Sequence, residues 1–148
     1  MGRLNVPGES SRGSADMPSS SSSTMTSGTT VLIVEDDEFV REVLADIVTS
    51  FGFTVALAAD GADAIEVYER AADDIDCVIL DYDIPGTHSS RVVSHIRGVN
   101  SSVKILLSSG YSETHVAGSF PLESVDGFIP KPYNTIMLKS ELERISTV

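Results

Sequence analysis

The sequence is short of the features that mark several large classes of protein. It has one cysteine and no tryptophan in 148 residues, and aromatic residues make up 6%. A single cysteine excludes a disulfide within the chain, and no run of about eighteen apolar residues is present to span a membrane. Basic residues are also scarce, with 10 Lys and Arg against 22 Asp and Glu. Binding to a nucleic-acid backbone relies on clustered Lys and Arg, so the composition argues against DNA or RNA as the direct ligand.

The first thirty residues differ in composition from the rest. They hold nine serines, four glycines and two prolines, and no aromatic residue. Such a segment buries too little apolar surface to offset the entropy lost on ordering. We therefore expect residues 1–29 to be a disordered tail or an expression remnant, and residues 30–148 to form one domain. The net charge of −12 belongs to residues 31–148, and this acidity suits a cation or a basic partner.

Short apolar runs alternate with segments in which apolar residues recur at helical spacing. The runs lie at 31–34, 54–59, 77–80, 103–107 and 126–129, and helices are predicted at 38–51, 60–72, 89–97, 112–117 and after Asn134. Uninterrupted apolar runs are typical of strands buried on both faces of a parallel sheet. Asp37 is expected to cap the first helix and Gly98 to end the third. The alternation predicts a doubly wound α/β domain with five parallel strands.

Polar residues follow four of the predicted strands, at the point where each strand ends. They are Glu35 and Asp36 after the first strand, Asp81 after the third, Ser109 after the fourth and Lys131 after the fifth. The carboxyl ends of parallel strands share one edge of the sheet, where ligands bind in open α/β folds. Taken singly, each residue has an ordinary structural explanation as a helix cap, a turn residue or a solvated lysine. The positions together favour a site at this edge.

The acidic residues among them suit a magnesium ion. Three carboxylates at one edge repel one another unless a cation lies between them. Magnesium prefers oxygen ligands and commonly takes one or two carboxylates together with waters and phosphate oxygens. We expect Asp36 and Asp81 to be direct ligands and Glu35 to act through a water. The backbone carbonyl of Asp83 is a further expected ligand.

The same edge suits phosphoryl chemistry. A carboxylate such as that of Asp81 can attack phosphorus and form an aspartyl phosphate. The charge on the transferring group then requires electrostatic stabilisation. A metal ion, the ammonium of Lys131 and the hydroxyl of Ser109 are expected to supply it.

Four stretches of the chain resemble the receiver domain of two-component response regulators. They are VLIVEDD at 31–37, ILDYDIPG at 79–86, LLSSG at 106–110 and FIPKP at 128–132, and the resemblance extends over about residues 30–146. It implies a flavodoxin-like sheet in the order 2-1-3-4-5 with five helices. It also implies that Asp81 accepts a phosphoryl group from a histidine kinase or a histidine phosphotransfer protein, with magnesium required. Ser109 would be the switch hydroxyl and Phe128 the switch aromatic, and the Lys131–Pro132 bond would be cis.

The resemblance further implies a signalling protein that works by contact with an unknown downstream protein. Its only catalysis would be its own phosphorylation and dephosphorylation. We expect a cytoplasmic protein that is a monomer or a weak dimer. A single cysteine and the lack of an apolar N-terminal segment are consistent with the cytoplasm.

Four positions depart from the family pattern. Ile84 stands where the family commonly has Met, and Ser89 where it has Gly. Ser109 replaces the more frequent Thr and keeps the hydroxyl. Phe128 keeps an aromatic ring and lacks the hydroxyl of the family's Tyr.

Three alternatives stay open. The chain ends after the last predicted helix, so it is either a single-domain regulator or a receiver excised from a hybrid histidine kinase, which the SSGY stretch at 108–111 also resembles. Leu80-Asp81-Tyr82-Asp83 also resembles the nucleophile motif of haloacid-dehalogenase-type phosphatases, although their metal carboxylates follow the nucleophile. A binding module that works without phosphate is the third alternative.

Tyr111 is either a partner contact or a ring that packs on its own domain.

Overall fold

The computed structural model of the chain describes residues 29–146, which form a five-stranded parallel sheet with helices on both faces. The elements are β1 Thr30–Val34, α1 Glu38–Ser50, β2 Thr54–Ala58, α2 Gly61–Ala71, β3 Ile75–Asp81, α3 Ser89–Val99, β4 Lys104–Ser109, α4 Glu113–Ala117, a short 3-10 turn Leu122–Ser124, β5 Gly127–Pro130 and α5 Thr135–Ser146. The strand order is β2-β1-β3-β4-β5, as predicted. The predicted tail, residues 1–29, lies outside the described residues except for Thr29. No described helix has the length and apolar character that crossing a membrane requires.

Each face of the sheet buries its own apolar layer, because successive side chains of a strand point to opposite faces. One layer packs α1 and α5 against the sheet and includes Val31, Ile33, Cys77, Ile79, Leu106, Leu138 and Leu142. The other packs α2, α3 and α4 and includes Leu32, Val34, Val78, Leu80, Ile105, Val92, Ile96 and Val116. Both layers cover the central strands β1, β3 and β4, which explains their continuous apolar runs.

The predicted starts of α1 after Asp37 and of α5 after Asn134 are confirmed, and the predicted end of α3 at Gly98 is wrong. The Asp37 side chain accepts a hydrogen bond of 3.1 Å from Val40 N–H and caps α1, and that of Asn134 accepts one of 2.8 Å from Met137 N–H at the start of α5. Gly98, by contrast, does not end α3, which continues to Val99. Gly98 does not have the positive φ that a glycine at a helix end commonly adopts. A glycine inside a helix lowers the helix stability by only about 1 kcal/mol relative to alanine, so α3 can continue through it.

Strand β4 is longer than predicted, and this extension positions the site. Its last two residues, Ser108 and Ser109, pair with Asp81 of β3 and Pro130 of β5. The parallel ladder therefore continues until all three strands end at a common level. The Lys131–Pro132 peptide bond that follows β5 is cis, as the family resemblance implied.

Candidate phosphoacceptor site

Asp81 ends the central strand β3 and is 5% exposed. One oxygen of its carboxylate, Oδ1, accepts a hydrogen bond of 3.2 Å from Asp83 N–H. The other, Oδ2, lies 3.1 Å from Nζ of Lys131. The carboxylate is therefore held in a fixed position between the turn that follows β3 and a cation from the end of β5.

Glu35 and Asp36 follow β1, the neighbouring strand on one side. Glu35 is 4% exposed, and its Oε1 lies 3.2 Å from the Lys131 ammonium. Asp36 is exposed. Carboxylate oxygens of Glu35, Asp36 and Asp81 all lie within 4.8 Å of one another. The Lys131 ammonium contacts two of these three carboxylates, so the cluster holds more carboxylates than the one ammonium between them balances.

This arrangement shifts the pKa values of the buried groups. Burial raises the pKa of Asp81, against the opposing effects of the Lys131 charge and the Asp83 N–H. Burial likewise raises the pKa of Glu35, against its hydrogen bond from Asp37 N–H. For Lys131, burial alone would lower the pKa, but the attraction of Asp81 and Glu35 outweighs it and the pKa is raised. Lys131 therefore remains an ammonium at neutral pH.

Among the described residues, no side-chain hydrogen bond joins Ser109 or Phe128 to the charged side chains of this cluster. Ser109 is buried on β4, and its Oγ accepts a hydrogen bond of 2.9 Å from Tyr111 N–H. Its carbonyl accepts one of 2.7 Å from Lys131 N–H, which ties the lysine to the end of β4. Phe128 is half-buried and packs against the layer beneath α3 and α4.

Sequence reasoning missed Tyr82, the residue directly after Asp81. Its ring forms edge-to-face contacts with His88, Tyr111 and Phe120, and its hydroxyl hydrogen bonds to Ser119. The only available signal was an aromatic residue beside the predicted phosphoacceptor. Tyr111 packs on its own domain through the contact with Tyr82 and is still 47% exposed, so its role as a partner contact stays a prediction.

A groove lined mainly by apolar side chains lies beside the charge cluster. Its volume is about 460 Å³, and its lining comes from α1 and the segment after β5: Phe39, Val40, Val43, Leu44, Ile47, Lys131, Pro132 and Tyr133. Phe39 is 75% exposed and Val43 is 40% exposed, so the groove presents neighbouring apolar side chains to solvent. The exposed acidic residues Glu38, Glu42 and Asp46 follow one side of α1. Sequence reasoning treated this helix only as a core element.

Comparison with known proteins agrees with the geometry. The sequence matches the family described as the response regulator receiver domain over residues 31–143. It is 31% identical over 116 residues to the sensor kinase CckA of Brucella abortus, covering 78% of this chain and 12% of the kinase. It is 29% identical over 119 residues to the chemotaxis protein CheY of Treponema pallidum, covering 80% of this chain and 81% of that protein.

Solved structures show the same fold. The response regulator TrrA of Thermotoga maritima, in complex with Mg²⁺ and BeF, superposes with a TM-score of 0.71 at 26% identity, covering 79% of this chain and 98% of that one. The chain spans 12%, 30% and 50% of the lengths of three curated relatives that it matches.

The family match covers most of the chain, and the strand order and the carboxylate cluster are those expected of a receiver. The match does not support the haloacid-dehalogenase-type alternative, whose metal carboxylates would have to follow Asp81. The chain therefore belongs to the response regulator receiver domain family, the phosphoacceptor domains of two-component signalling.

Proposed function

We propose that Asp81 is the phosphoacceptor and that a histidine kinase or a histidine phosphotransfer protein is the donor. The observation that carries the proposal is the Asp81 carboxylate at the end of a central strand, 3.1 Å from the Lys131 ammonium and beside the carboxylates of Glu35 and Asp36. Elsewhere in the described chain no other group of three carboxylates converges in this way.

Phosphoryl transfer to Asp81 is a nucleophilic displacement at phosphorus. A carboxylate oxygen bonds to phosphorus while the bond between phosphorus and the histidine nitrogen breaks. The electron pair of that bond returns to the imidazole, which becomes neutral on binding a proton. Lys131 stabilises the negative charge on the phosphoryl oxygens, and the Ser109 hydroxyl donates a hydrogen bond to one of them. Attack by water on the phosphorus later restores the carboxylate.

The donor set of the site fits magnesium. All the groups offered are oxygens, and the three carboxylates of Glu35, Asp36 and Asp81 lie close enough to surround one ion. We propose Asp36 and Asp81 as direct ligands, the Asp83 carbonyl as a third and Glu35 as a ligand through water. A bound magnesium ion would stabilise the phosphoryl charge as a Lewis acid. The related TrrA structure contains Mg²⁺ together with BeF.

The groove beside Lys131 supports a protein as the phosphodonor. An apolar surface next to the reacting carboxylate gives a partner a place to bind, and the acidic stripe of α1 favours basic residues around the partner's own apolar patch. Within the groove, burial raises the pKa of the Tyr133 phenol to about 12, so this group stays neutral. We further propose that the transfer takes place in the cytoplasm, because the donor's phosphohistidine is made with ATP held there.

Output is proposed to begin at Ser109 and Phe128. A phosphoryl group on Asp81 would draw the Ser109 hydroxyl inward and leave room into which the half-buried Phe128 ring can turn. The surface formed by residues 112–129 and α5 would then change shape for a downstream protein. Structures with and without beryllofluoride test this step, and an unchanged Phe128 rotamer would contradict it.

Labelling with a small phosphodonor tests the acceptor directly. The full chain is incubated with phosphoramidate and magnesium, and intact mass reports the added phosphoryl group. We expect one group on the unaltered protein and none on Asp81→Asn. Asp73→Asn, which changes an exposed aspartate outside the site, is the matched control and should be labelled normally. Labelling of Asp81→Asn would overturn the assignment.

A further inference from the structure

Tyr82 lies in the turn that follows Asp81, and two backbone N–H groups of this turn donate hydrogen bonds to neighbouring residues. Its own N–H donates a hydrogen bond of 2.8 Å to the Ser108 carbonyl, which continues the ladder between β3 and β4. The next N–H, that of Asp83, donates to the Asp81 carboxylate at 3.2 Å. Because a carboxylate oxygen that becomes esterified is a weaker acceptor, phosphorylation of Asp81 acts directly on the turn that carries the Tyr82 side chain.

The Tyr82 ring contacts the loop that follows Ser109. Its centroid lies 6.2 Å from that of Tyr111, with the rings nearly perpendicular, and Tyr111 N–H donates to Ser109 Oγ at 2.9 Å. The Tyr82 ring centroid also lies 5.6 Å from the centroid of the His88 ring and 6.1 Å from that of the Phe120 ring. Edge-to-face pairs at these separations are attractive. One side chain therefore joins the β3–α3 loop, the β4–α4 loop and the segment after α4.

The Tyr82 hydroxyl extends this connection to α4. It lies 2.8 Å from Ser119 Oγ, and Ser119 N–H donates to the Val116 carbonyl in the last turn of the helix. A hydrogen bond thus links the residue next to the phosphoacceptor with the end of α4. Phe128, the proposed switch aromatic, has no hydroxyl with which to form such a link.

From these contacts we propose that Tyr82 is a positioning residue that couples the state of Asp81 to α4 through its hydrogen bond to Ser119. This proposal rests on the proposed function, because the signal begins at Asp81. The turn 81–83 moves when Asp81 is modified, the Tyr82 side chain moves with it, and the Ser119 hydroxyl transmits the displacement to α4. The bond between Tyr82 and Ser119 itself includes neither Ser109 nor Phe128.

Nuclear magnetic resonance of the full chain tests the coupling, with magnesium and beryllofluoride as the probe. In the unaltered protein we expect the probe to shift the amide resonances of Ser109 and, through Tyr82, those of Val116 and Ala117. In Tyr82→Phe, which keeps the ring and removes the hydroxyl, the α4 shifts should fall about three-fold or more while those of Ser109 remain. Ser119→Ala should give the same loss, and the double variant no further loss, because both changes remove one bond.

Tyr111→Phe is the matched control. It removes a neighbouring phenol that forms no hydrogen bond within the described residues, and its α4 shifts should equal those of the unaltered protein. Urea unfolding midpoints of all variants should agree, since the bond between Tyr82 and Ser119 is exposed to solvent.

Two results would overturn the coupling. One is a full α4 response in Tyr82→Phe, and the other is losses in the two single variants that add in the double variant. If the probe fails to shift even the Ser109 resonance of the unaltered protein, the proposed function fails as well. A shifted Ser109 with an α4 response independent of Tyr82 refutes the coupling alone.

Discussion

The amino ends of the five parallel strands meet on one side of the sheet, here called the amino edge, and their carboxyl ends meet on the opposite side, the carboxyl edge. Both carry buried or half-buried charged side chains, but the charges are balanced differently. At the amino edge, Arg144 donates a hydrogen bond to the Asp126 carbonyl, and the Asp126 carboxylate pairs with Arg97, with its Oδ2 2.8 Å from Arg97 Nη2. The same oxygen accepts a hydrogen bond of 2.8 Å from Ile105 N–H, and Arg97 also donates to the carbonyls of Ser124, Ser101 and Val103. At the carboxyl edge, three carboxylates cluster, and the Lys131 ammonium contacts two of them, Glu35 and Asp81.

The difference separates a structural ion pair from a site prepared for a ligand. The balanced pair of Arg97 and Asp126 joins α3 to the starts of β4 and β5, and it leaves no charge for a ligand to neutralise. At the carboxyl edge the raised pKa values of Asp81 and Glu35 show that burial of these carboxylates is not fully compensated. Charge balance therefore indicates stability, and charge excess indicates function.

The largest expected effect is a loss of stability at the amino edge. Arg97→Ala removes the guanidinium that pairs with the half-buried Asp126 carboxylate and should lower the free energy of unfolding by about 2–3 kcal/mol. Urea unfolding measures it. The control is Arg70→Ala, whose pair with Glu66 is 66% and 67% exposed and should be worth less than about 0.5 kcal/mol. Equal losses in the two variants would remove the distinction between the edges.

The second effect is on rate, and it belongs to the carboxyl edge. Lys131→Ala should slow phosphorylation of the protein by phosphoramidate about tenfold or more, because the phosphoryl charge loses its ammonium. Arg97→Ala should phosphorylate within about two-fold of the unaltered rate under conditions where it is folded, since it lies at the opposite edge. The measurement is the initial rate of phosphorylation of each variant, followed by intact mass. An Arg97→Ala rate as slow as that of Lys131→Ala would contradict the assignment of the two edges.

A third prediction concerns stability without metal and its dependence on pH. The pKa of Asp81 is raised by folding, so the folded chain binds this proton more tightly than the unfolded chain. Stability is therefore lost as pH rises from the unfolded pKa through the folded pKa. Asp81→Asn escapes this loss and should be more stable by about 1 kcal/mol at neutral pH, with the advantage vanishing near about pH 4.

Urea titrations of both proteins in a chelating buffer measure this difference across the pH range. Added magnesium should stabilise the unaltered protein more than Asp81→Asn, because the variant lacks one of the proposed ligands. An advantage of Asp81→Asn that grows toward acid pH would refute the proposed cause.

The smallest effect concerns a polar group left without a partner near the carboxyl edge. Ser89 opens α3 and is fully buried, and its Oγ forms no hydrogen bond within the part of the chain that the structure describes. Ser89→Ala removes the unpaired hydroxyl and should stabilise the protein by about 0.5–1 kcal/mol, as measured by urea unfolding. Ser94→Ala, a change at an exposed serine of the same helix, is the control and should change the stability little. A loss of stability in Ser89→Ala would indicate that the hydroxyl has a partner.

Local patterns predicted most of the elements, and each miss has a tertiary cause. Apolar runs were sufficient for the strands, and Asp37 was sufficient for the start of α1. The extension of β4 through Ser109 depended on pairing with β3 and β5, which a single run does not reveal. The continuation of α3 past Gly98 accompanies the anchoring of Arg97 by residues from the next loop and from before β5. The contacts of Tyr82 come from residues up to 38 positions away.

The sequence by itself determined which polar residues follow the apolar runs, and therefore which side chains could meet at the carboxyl edge. Apolar periodicity and helix caps are local properties, so they are readable along the chain. Only the tertiary structure decided that Lys131 contacts both Asp81 and Glu35. Lys131 follows β5, which lies two places from β3 in the sheet. That position depends on strand order and register, which are fixed by packing both faces of the sheet at once.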